Sequence, residues 1–187
     1  MSSLPAVESV GVPGVLLISP VRHIDARGFF SESYNESAFR AIGVENRFVQ
    51  DNHSLSRRRG TVRGLHFQIP PCAQAKLVRV LKGAIFDVAV DIRSGSATFG
   101  RSVAALLSAE NGDQLFVPAG FAHGYCTLEP DTEVLYKVDT GYSRDHERGL
   151  LWNDPELGLS WPEAADTSTL LERDRNWPPL RSLPVYF

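Results

Sequence analysis

The chain has 187 residues, of which 43% are hydrophobic and 22% are charged, and these values are typical of one globular domain. Its 19 basic and 22 acidic side chains give a net charge of −3, which argues against the basic surface of a duplex nucleic-acid binder. No stretch approaches the ~20 consecutive apolar residues of a membrane-spanning helix. Residues 1–9 lack the basic-then-apolar order of a signal peptide, so we expect a cytoplasmic protein with no nucleic-acid or membrane partner.

Short β-type segments dominate the chain, and turns separate them at intervals of about 8–12 residues. They lie at residues 12–20, 76–81, 84–93, 101–107, 114–117 and 132–137, and a turn at 81–83 is predicted to join two of them as a hairpin. Helix is predicted at 35–42, with Asn35 as the N-cap and Gly43 as the stop, and a second turn or helix near Ser168. The sequence therefore predicts one all-β domain over residues 1–187, a jelly-roll barrel with a few short helices. Residues 181–187 are predicted to form a frayed tail.

The segment 63–68, which reads RGLHFQ, is the first candidate for chemistry. Strand alternation sends residues 64, 66 and 68 to one face and residues 63, 65 and 67 to the other. His66 alone fits a hydrogen-bonded core histidine equally well. Lys76 begins a neighbouring strand, however, and a histidine and a lysine inside one barrel require an anionic ligand or paired carboxylates.

The segment 112–123 matches the second sequence motif of cupins, G-x5-P-x-G-x2-H, through His123. Pro118 and Gly120 predict a tight turn that presents His123 at the mouth of a barrel. Metal-binding cupins add an H-x-H pair and a nearby glutamate, whereas this chain has Gln68 in place of the second histidine and no acid in the following residues. The sequence therefore predicts a cupin barrel without a metal. The alternative is a metal-dependent oxygenase in which Cys72 or Gln68 joins the two histidines.

A barrel with these residues and no metal is suited to removing a proton next to a carbonyl group. A neutral imidazole such as His66 is well matched to this task near pH 7. Lys76 is suited to stabilise the enolate oxygen that develops. Tyr136 lies on a predicted strand and is a candidate for returning a proton from the opposite face of the substrate, although it fits an ordinary half-buried strand tyrosine as well.

The motifs together resemble those of dTDP-4-dehydrorhamnose 3,5-epimerases, a family of cupin-fold enzymes, over residues 14–180. The matching segments are DARGFFSESYN at 25–35, FVQDNHSLS at 48–56, RGLHFQIPP at 63–71, QAKLVRVLKGAIFDVAVDIRSGSATFG at 74–100, LSAENGDQLFVPAGFAHGY at 107–125, LYK at 135–137 and LLWNDPELGLSWP at 150–162. Their number and order make the resemblance highly specific.

The resemblance implies a role for individual positions of this sequence. It implies His66 as the base, Tyr136 as the proton donor, Lys76 beside the keto oxygen of the sugar, and Asp174 as the partner of the base. The family often reads S-x-K-D where this chain has Glu172-Arg173-Asp174, so Arg173 replaces a lysine that faces the substrate. The implied substrate-binding residues are Arg27, Glu32, Gln50, Asp51, Asn52, Arg63, Lys76, His123, Glu147 and Arg173.

The resemblance further implies that dTDP-4-dehydro-6-deoxy-D-glucose is epimerised at C3 and C5 without a cofactor, within dTDP-L-rhamnose biosynthesis. It implies a homodimer that exchanges an N-terminal strand, so that Arg27 or Glu32 serves the site of the partner. Three alternatives remain open at this point: an epimerase acting at C3 or C5 alone, the metal-dependent oxygenase, and a nucleotide-sugar binder without activity.

Overall fold

The computed structural model describes residues 4–187, so the first three residues of the segment 1–9 discussed above lie outside the described residues. The strands are β1 (Ala6–Ser9), β2 (Leu16–Ser19), β3 (His23–Asp25), β4 (Gly28–Phe30), β5 (Gln50–Ser56), β6 (Val62–Gln68), β7 (Lys76–Lys82), β8 (Ala84–Asp91), β9 (Ser102–Ser108), β10 (Gln114–Val117), β11 (Phe121–Thr127), β12 (Thr132–Val138) and β13 (Glu147–Gly149). The α-helices are α1 (Glu36–Ala41) and α2 (Glu172–Arg175), and 3-10 turns occur at Arg144–His146, Pro155–Leu157, Thr167–Thr169 and Leu180–Ser182. None of these helices has the length and hydropathy of a membrane span.

Two antiparallel sheets form the body of the protein. The first has the strand order β1-β2-β10-β7-β12-β5, the second has the order β13-β6-β11-β8-β9, and β3 and β4 form a separate hairpin. From β5 onward the chain passes repeatedly from one sheet to the other, which is the connectivity of a jelly roll. The predicted all-β, cupin-type fold with a few short helices is confirmed.

The main core lies between the two sheets. Its buried residues come from both of them, for example Val78 and Val80 on β7 and Ile85 and Ala89 on β8. Leu77 faces the other way and packs in a separate cluster with Phe39 of α1. The alternation predicted for residues 76–81 is thus confirmed, and it points Lys76 to the interior side of its sheet.

The predicted hairpin at 81–83 is wrong. β7 pairs with β10 and β12 in the first sheet, whereas β8 pairs with β11 and β9 in the second sheet. The turn therefore carries the chain across the core from one sheet to the other. Gly83 adopts a positive φ of 77° there, and a Cβ would lie 2.5 Å from the Thr132 hydroxyl. A tight glycine turn is common to both connections, so the local sequence does not distinguish them.

The predicted alternation along β6 also fails at one position. His66 lies opposite His123 on β11, but Arg63 lies opposite Tyr125, so three steps on β6 match two steps on β11. The extra residue is a β-bulge, which turns Arg63 to the same side as His66. Gly124 permits this approach of the two strands, because a Cβ there would lie 2.6 Å from the Arg63 carbonyl oxygen.

The short helix and the carboxyl-terminal end flank the sheets. Asn35 caps α1 by accepting hydrogen bonds from the backbone of residues 37 and 38, as the sequence predicted. The sequence predicts a frayed end at residues 181–187, whereas in the structure the rings of Tyr186 and Phe187 contact Phe67. The backbone amide of Ser94 also donates to the Phe187 carbonyl oxygen.

Candidate active site

A cavity of about 380 Å³ is lined by side chains from both sheets and from α2. Most of the residues predicted from the sequence converge on it, although they come from six different elements of the chain. The predicted site residues that line the cavity are Asn52, Arg63, His66, Lys76, His123, Tyr136, Glu147, Arg173 and Asp174. The fold therefore brings together groups that are up to 122 positions apart in the sequence, from Asn52 to Asp174.

His66 and Asp174 form a hydrogen-bonded pair at the base of this cavity. The distance from His66 Nε2 to Asp174 Oδ1 is 2.7 Å, and Asp174 is only 2% exposed. Burial by itself would raise the pKa of Asp174, but the hydrogen bond and charge of His66, together with Arg173, bring that pKa below its usual value. Asp174 is thus an anion that orients the imidazole, and it leaves His66 Nδ1 as the nitrogen for accepting a proton from a substrate.

Trp177 supports the pair and was missed in the sequence. Its indole Nε1 donates to Asp174 Oδ1 at 3.3 Å, and its ring meets the ring of His66 edge to face at 6.5 Å. Gly149 accommodates the indole, because a Cβ at that position would lie 2.3 Å from it. No motif surrounds Trp177; the only local signal is its place three residues after Asp174.

Lys76 carries a buried ammonium group that faces the cavity. The residue is 7% exposed, and burial lowers the pKa of its amine to about 8, although the carboxylates of Asp139, Glu147 and Asp87 act in the opposite direction. In the part of the chain that the structure describes, no carboxylate lies within ion-pair distance of Lys76. An ammonium with little solvent and no fixed partner is suited to meet an oxygen on which negative charge develops.

Tyr136 enters the cavity from β12, where it lies opposite Val78 of β7. Burial raises the pKa of its phenol, and the neighbouring Tyr125 and Glu147 raise it further, whereas Arg63 opposes the rise. The phenol therefore keeps its proton at neutral pH and has one to give. The structure favours the catalytic interpretation of Tyr136 over that of an ordinary strand tyrosine, since its ring lines the same cavity as His66.

Three side chains form a polar cluster where the cavity meets solvent. Glu147 Oε2 accepts from the Tyr142 hydroxyl at 3.0 Å and from Arg173 Nη1 at 2.8 Å. Arg63, further inside, donates through Nε to the Ser56 hydroxyl at 3.2 Å. Tyr142 was not predicted from the sequence. The two guanidinium groups give this region a local positive charge that the net charge of −3 conceals.

Four of the predicted contact residues do not line the cavity of their own chain. Arg27 lies on the β3–β4 hairpin, where its side chain is 89% exposed and paired with Asp25. The other three are Glu32, which is exposed, Gln50, which donates to Asn52 at 2.8 Å, and Asp51, which pairs with Lys137 at 2.9 Å. Their roles in binding remain predictions.

His123 has a carboxylate partner of its own, which sequence reasoning missed. Its Nε2 lies 2.6 Å from Asp87 Oδ1, and Asp87 on β8 is completely buried. His123 and His66 are directly opposite each other on paired strands, so the two imidazoles lie side by side on one face of the sheet. Two histidine–carboxylate pairs therefore border the same cavity.

Gln68, at the position of a metal-ligating histidine in metal cupins, holds a loop. Its amide donates to the carbonyl oxygens of Cys72 and Gly141, and its carbonyl accepts from the backbone amide of Ser143. Within residues 4–187 no three His, Cys, Asp or Glu side chains are grouped as metal ligands. The prediction that the chain needs no metal stays a prediction.

Comparison with known proteins agrees with this geometry. The family model described as dTDP-4-dehydrorhamnose 3,5-epimerase matches residues 9–182. The protein of that name from Sinorhizobium fredii is 53% identical over 180 residues, which are 96% of this chain and 92% of the relative. The crystal structure of the Bacillus anthracis enzyme with TDP and PPi bound is 49% identical, with a TM-score of 0.90, and the match covers 94% of this chain and 99% of that one.

A second solved structure is that of the dTDP-6-deoxy-D-glucose-3,5-epimerase from Legionella pneumophila in complex with dTDP-4-keto-L-rhamnose. It is 38% identical, with a TM-score of 0.90, and the match covers 96% of this chain and 95% of that one. The family model and the relatives thus cover nearly the whole chain, including every residue placed in the cavity. The chain belongs to the dTDP-4-dehydrorhamnose 3,5-epimerase family.

Proposed function

We propose that this protein epimerises dTDP-4-dehydro-6-deoxy-D-glucose at C3 and C5 to give dTDP-4-dehydro-L-rhamnose, in dTDP-L-rhamnose biosynthesis. The observation that carries the proposal is the convergence of the His66–Asp174 pair, Lys76 and Tyr136 on one cavity. Both carbons are α to the C4 ketone, so one enolate chemistry serves both positions. Membership of the family supports the same reaction.

Each group has a defined task in this reaction. His66 removes the proton next to the ketone, and Asp174 stabilises the imidazolium that results. The Lys76 ammonium stabilises the oxygen on which the enolate charge collects. Tyr136 returns a proton at C5 from the opposite face, which inverts that carbon. The arginines of the cavity, Arg63 and Arg173, are suited to bind the diphosphate through paired N–H groups.

NMR in D2O tests the reaction. With the dTDP-4-keto sugar as substrate, we expect solvent deuterium at both C3 and C5, and exchange at C3 alone would show a single-position epimerase instead. The variant His66→Ala is expected to lose at least about a hundredfold in turnover. Turnover within tenfold of the wild type would contradict the mechanism.

A second variant separates the two carbons. Tyr136→Phe keeps the ring but removes the proton that is returned at C5. We expect it to retain exchange at C3 and to lose inversion at C5. If both carbons are inverted at the wild-type rate, Tyr136 is not the donor.

We further propose that the active form is a homodimer in which the β3–β4 hairpin of each chain reaches the site of its partner. The hairpin exposes large apolar side chains to solvent: Ile24 is 82%, Phe29 is 58% and Phe30 is 67% exposed. Such a cluster is typical of an interaction surface. Arg27 lies on the same hairpin and outside the cavity of its own chain, so a partner's cavity is the place where it would meet a substrate.

Complementation between two inactive variants tests the exchange. In a mixed dimer of Arg27→Ala and His66→Ala chains, one site combines an intact His66 with an intact Arg27 from the partner. Equal mixing after reversible unfolding is therefore expected to restore about a quarter of the sites. No recovery in a confirmed mixed dimer would show that each hairpin serves its own chain.

A cytoplasmic location is the remaining part of the proposal. The two cysteines, Cys72 and Cys126, are free thiols in the structure, which is usual for proteins of a reducing compartment. No cofactor is part of the proposed reaction, because acid–base groups of the chain supply each step. Retention of full activity after exhaustive treatment with a chelator is the expected result, and stoichiometric iron with loss of activity would favour the oxygenase alternative.

A further inference from the structure

Asp87 is a buried carboxylate that the proposed reaction has not yet used. It is 0% exposed and lies on β8, behind His123 as seen from the cavity, which it does not line itself. Oδ1 is 2.6 Å from His123 Nε2, whereas Oδ2 has no hydrogen-bond partner in residues 4–187. A buried carboxylate with one unsatisfied oxygen is costly, so a nearby positive charge must offset it.

The surroundings of the pair identify that charge. Across β11, the position opposite Asp87 on β9 is Ala105, which is apolar. The charge must therefore come from the cavity side, where His123 is the group in direct contact with the carboxylate. The titratable and charged groups that share the cavity with His123 are Arg63 and His66 on β6, Lys76 on β7, Tyr125 on β11, Tyr136 on β12, Tyr142 before β13, Glu147 on β13, and Arg173 and Asp174 on α2.

We infer that Asp87 is a positioning residue that acts through His123 in the epimerisation. By accepting the Nε2–H of His123, it fixes the orientation of the ring and turns Nδ1 towards the cavity. The carboxylate also balances the positive charge of the ring, so that Nδ1–H donates to the C4 oxygen of the substrate beside the Lys76 ammonium. This inference rests on the proposed function.

The arrangement gives two adjacent histidines opposite tasks. His66 must be neutral to accept a proton, and it becomes positively charged when it does so. His123 lies directly opposite on the paired strand, so two positive rings would repel each other at that moment. Separate carboxylates, Asp174 for His66 and Asp87 for His123, allow both rings to be positively charged while the enolate exists.

The variant Asp87→Asn tests the inference, because it keeps the shape of the side chain and removes its charge. We expect kcat to fall about a hundredfold, the usual effect of losing one donor to a developing oxyanion. The affinity for dTDP, which has no ketone, is expected to change less than about threefold, since Asp87 acts only where charge develops. An equal loss in dTDP affinity would indicate a structural role and overturn the inference.

A double-variant cycle shows whether Asp87 acts through His123. In a His123→Gln background we expect Asp87→Asn to lower kcat by less than about threefold further, because the pathway is already broken. A full hundredfold loss in that background would overturn the inference. NMR of the wild type gives a readout independent of folding of the variant: a hydrogen-bonded Nε2–H proton that disappears in His123→Gln. Its absence in the wild type contradicts the proposed pair.

Asp91→Asn is the matched control. Asp91 is also a fully buried carboxylate on β8, but it is held by Arg93, Ser96 and Thr98 and does not line the cavity. We expect this variant to lose stability and to keep wild-type kcat per folded molecule. Wild-type protein that exchanges neither C3 nor C5 would refute the proposed function itself. Active wild type with an Asp87→Asn variant within threefold of it would refute only the role of Asp87.

Discussion

Replacing Lys76 by methionine is expected to stabilise the protein while it abolishes turnover. Burial lowers the pKa of the Lys76 amine from 10.5 to about 8, against the opposing effect of Asp139, Glu147 and Asp87. At pH 7 both the folded and the unfolded chain hold the proton, so the folded chain bears a charge-burial cost of about 3 kcal/mol. Methionine fills similar space without a charge, and we expect the free energy of unfolding to rise by up to that amount.

The pH dependence of this gain follows from the direction of the shift. Between pH 8 and 10.5 the folded wild type has lost the Lys76 proton while the unfolded chain still binds it, so wild-type stability rises with pH in this window. The advantage of Lys76→Met is therefore full below pH 8 and lost by about pH 10.5. Urea unfolding of both proteins at pH 7, 9 and 10.5 measures the difference.

Turnover and a control complete the test. Loss of the ammonium is expected to lower kcat by about 10²–10³-fold, measured as deuterium exchange at C3 and C5. Lys137→Met is the control, because Lys137 lies outside the cavity and pairs with Asp51 on the surface, where an ion pair contributes less than about 1 kcal/mol. A Lys76→Met protein less stable than the wild type at pH 7, or equally stabilised at every pH, would refute the reasoning.

Three further predictions concern the same site. In the wild type, kcat/KM is expected to fall above pH about 8 as Lys76 loses its proton, and Lys76→Arg to move this limb to higher pH; an unchanged limb would assign it to another group. Trp177→Phe keeps the ring against Gly149 but loses the donor to Asp174, so we expect kcat to fall about tenfold with the urea midpoint nearly unchanged. Gly124→Ala places a Cβ 2.6 Å from the Arg63 carbonyl oxygen and is expected to cost about 1–3 kcal/mol of stability as well as activity. The Gly95→Ala control has open space and is expected to behave as the wild type in both assays.

Strand content and the chemical motifs were predictable because their signals are local. The apolar alternation of segment 76–81 survives in β7, and the caps of α1 are a short-range pattern around Asn35. Segment 50–56 is a strand despite its polar composition, because β5 lies at an edge of its sheet, where alternate side chains face solvent. A periodicity of two therefore holds wherever one face of a strand is buried and no residue is inserted.

The sequence by itself determined the fold class and the identities of His66, Lys76 and Tyr136 as candidates, because residue type, spacing and turn chemistry are properties of short segments. The tertiary structure decided what those groups contact. Asp87 and Trp177 carry no motif, and their roles arise only because β8 lies behind β11 and Trp177 packs on Gly149. The bulge in β6, the crossing at 81–83 and the position of the β3–β4 hairpin outside the cavity likewise depend on which strands pair. Pairing between strands that are distant in the chain is set by the packing of the whole core, which no short segment encodes.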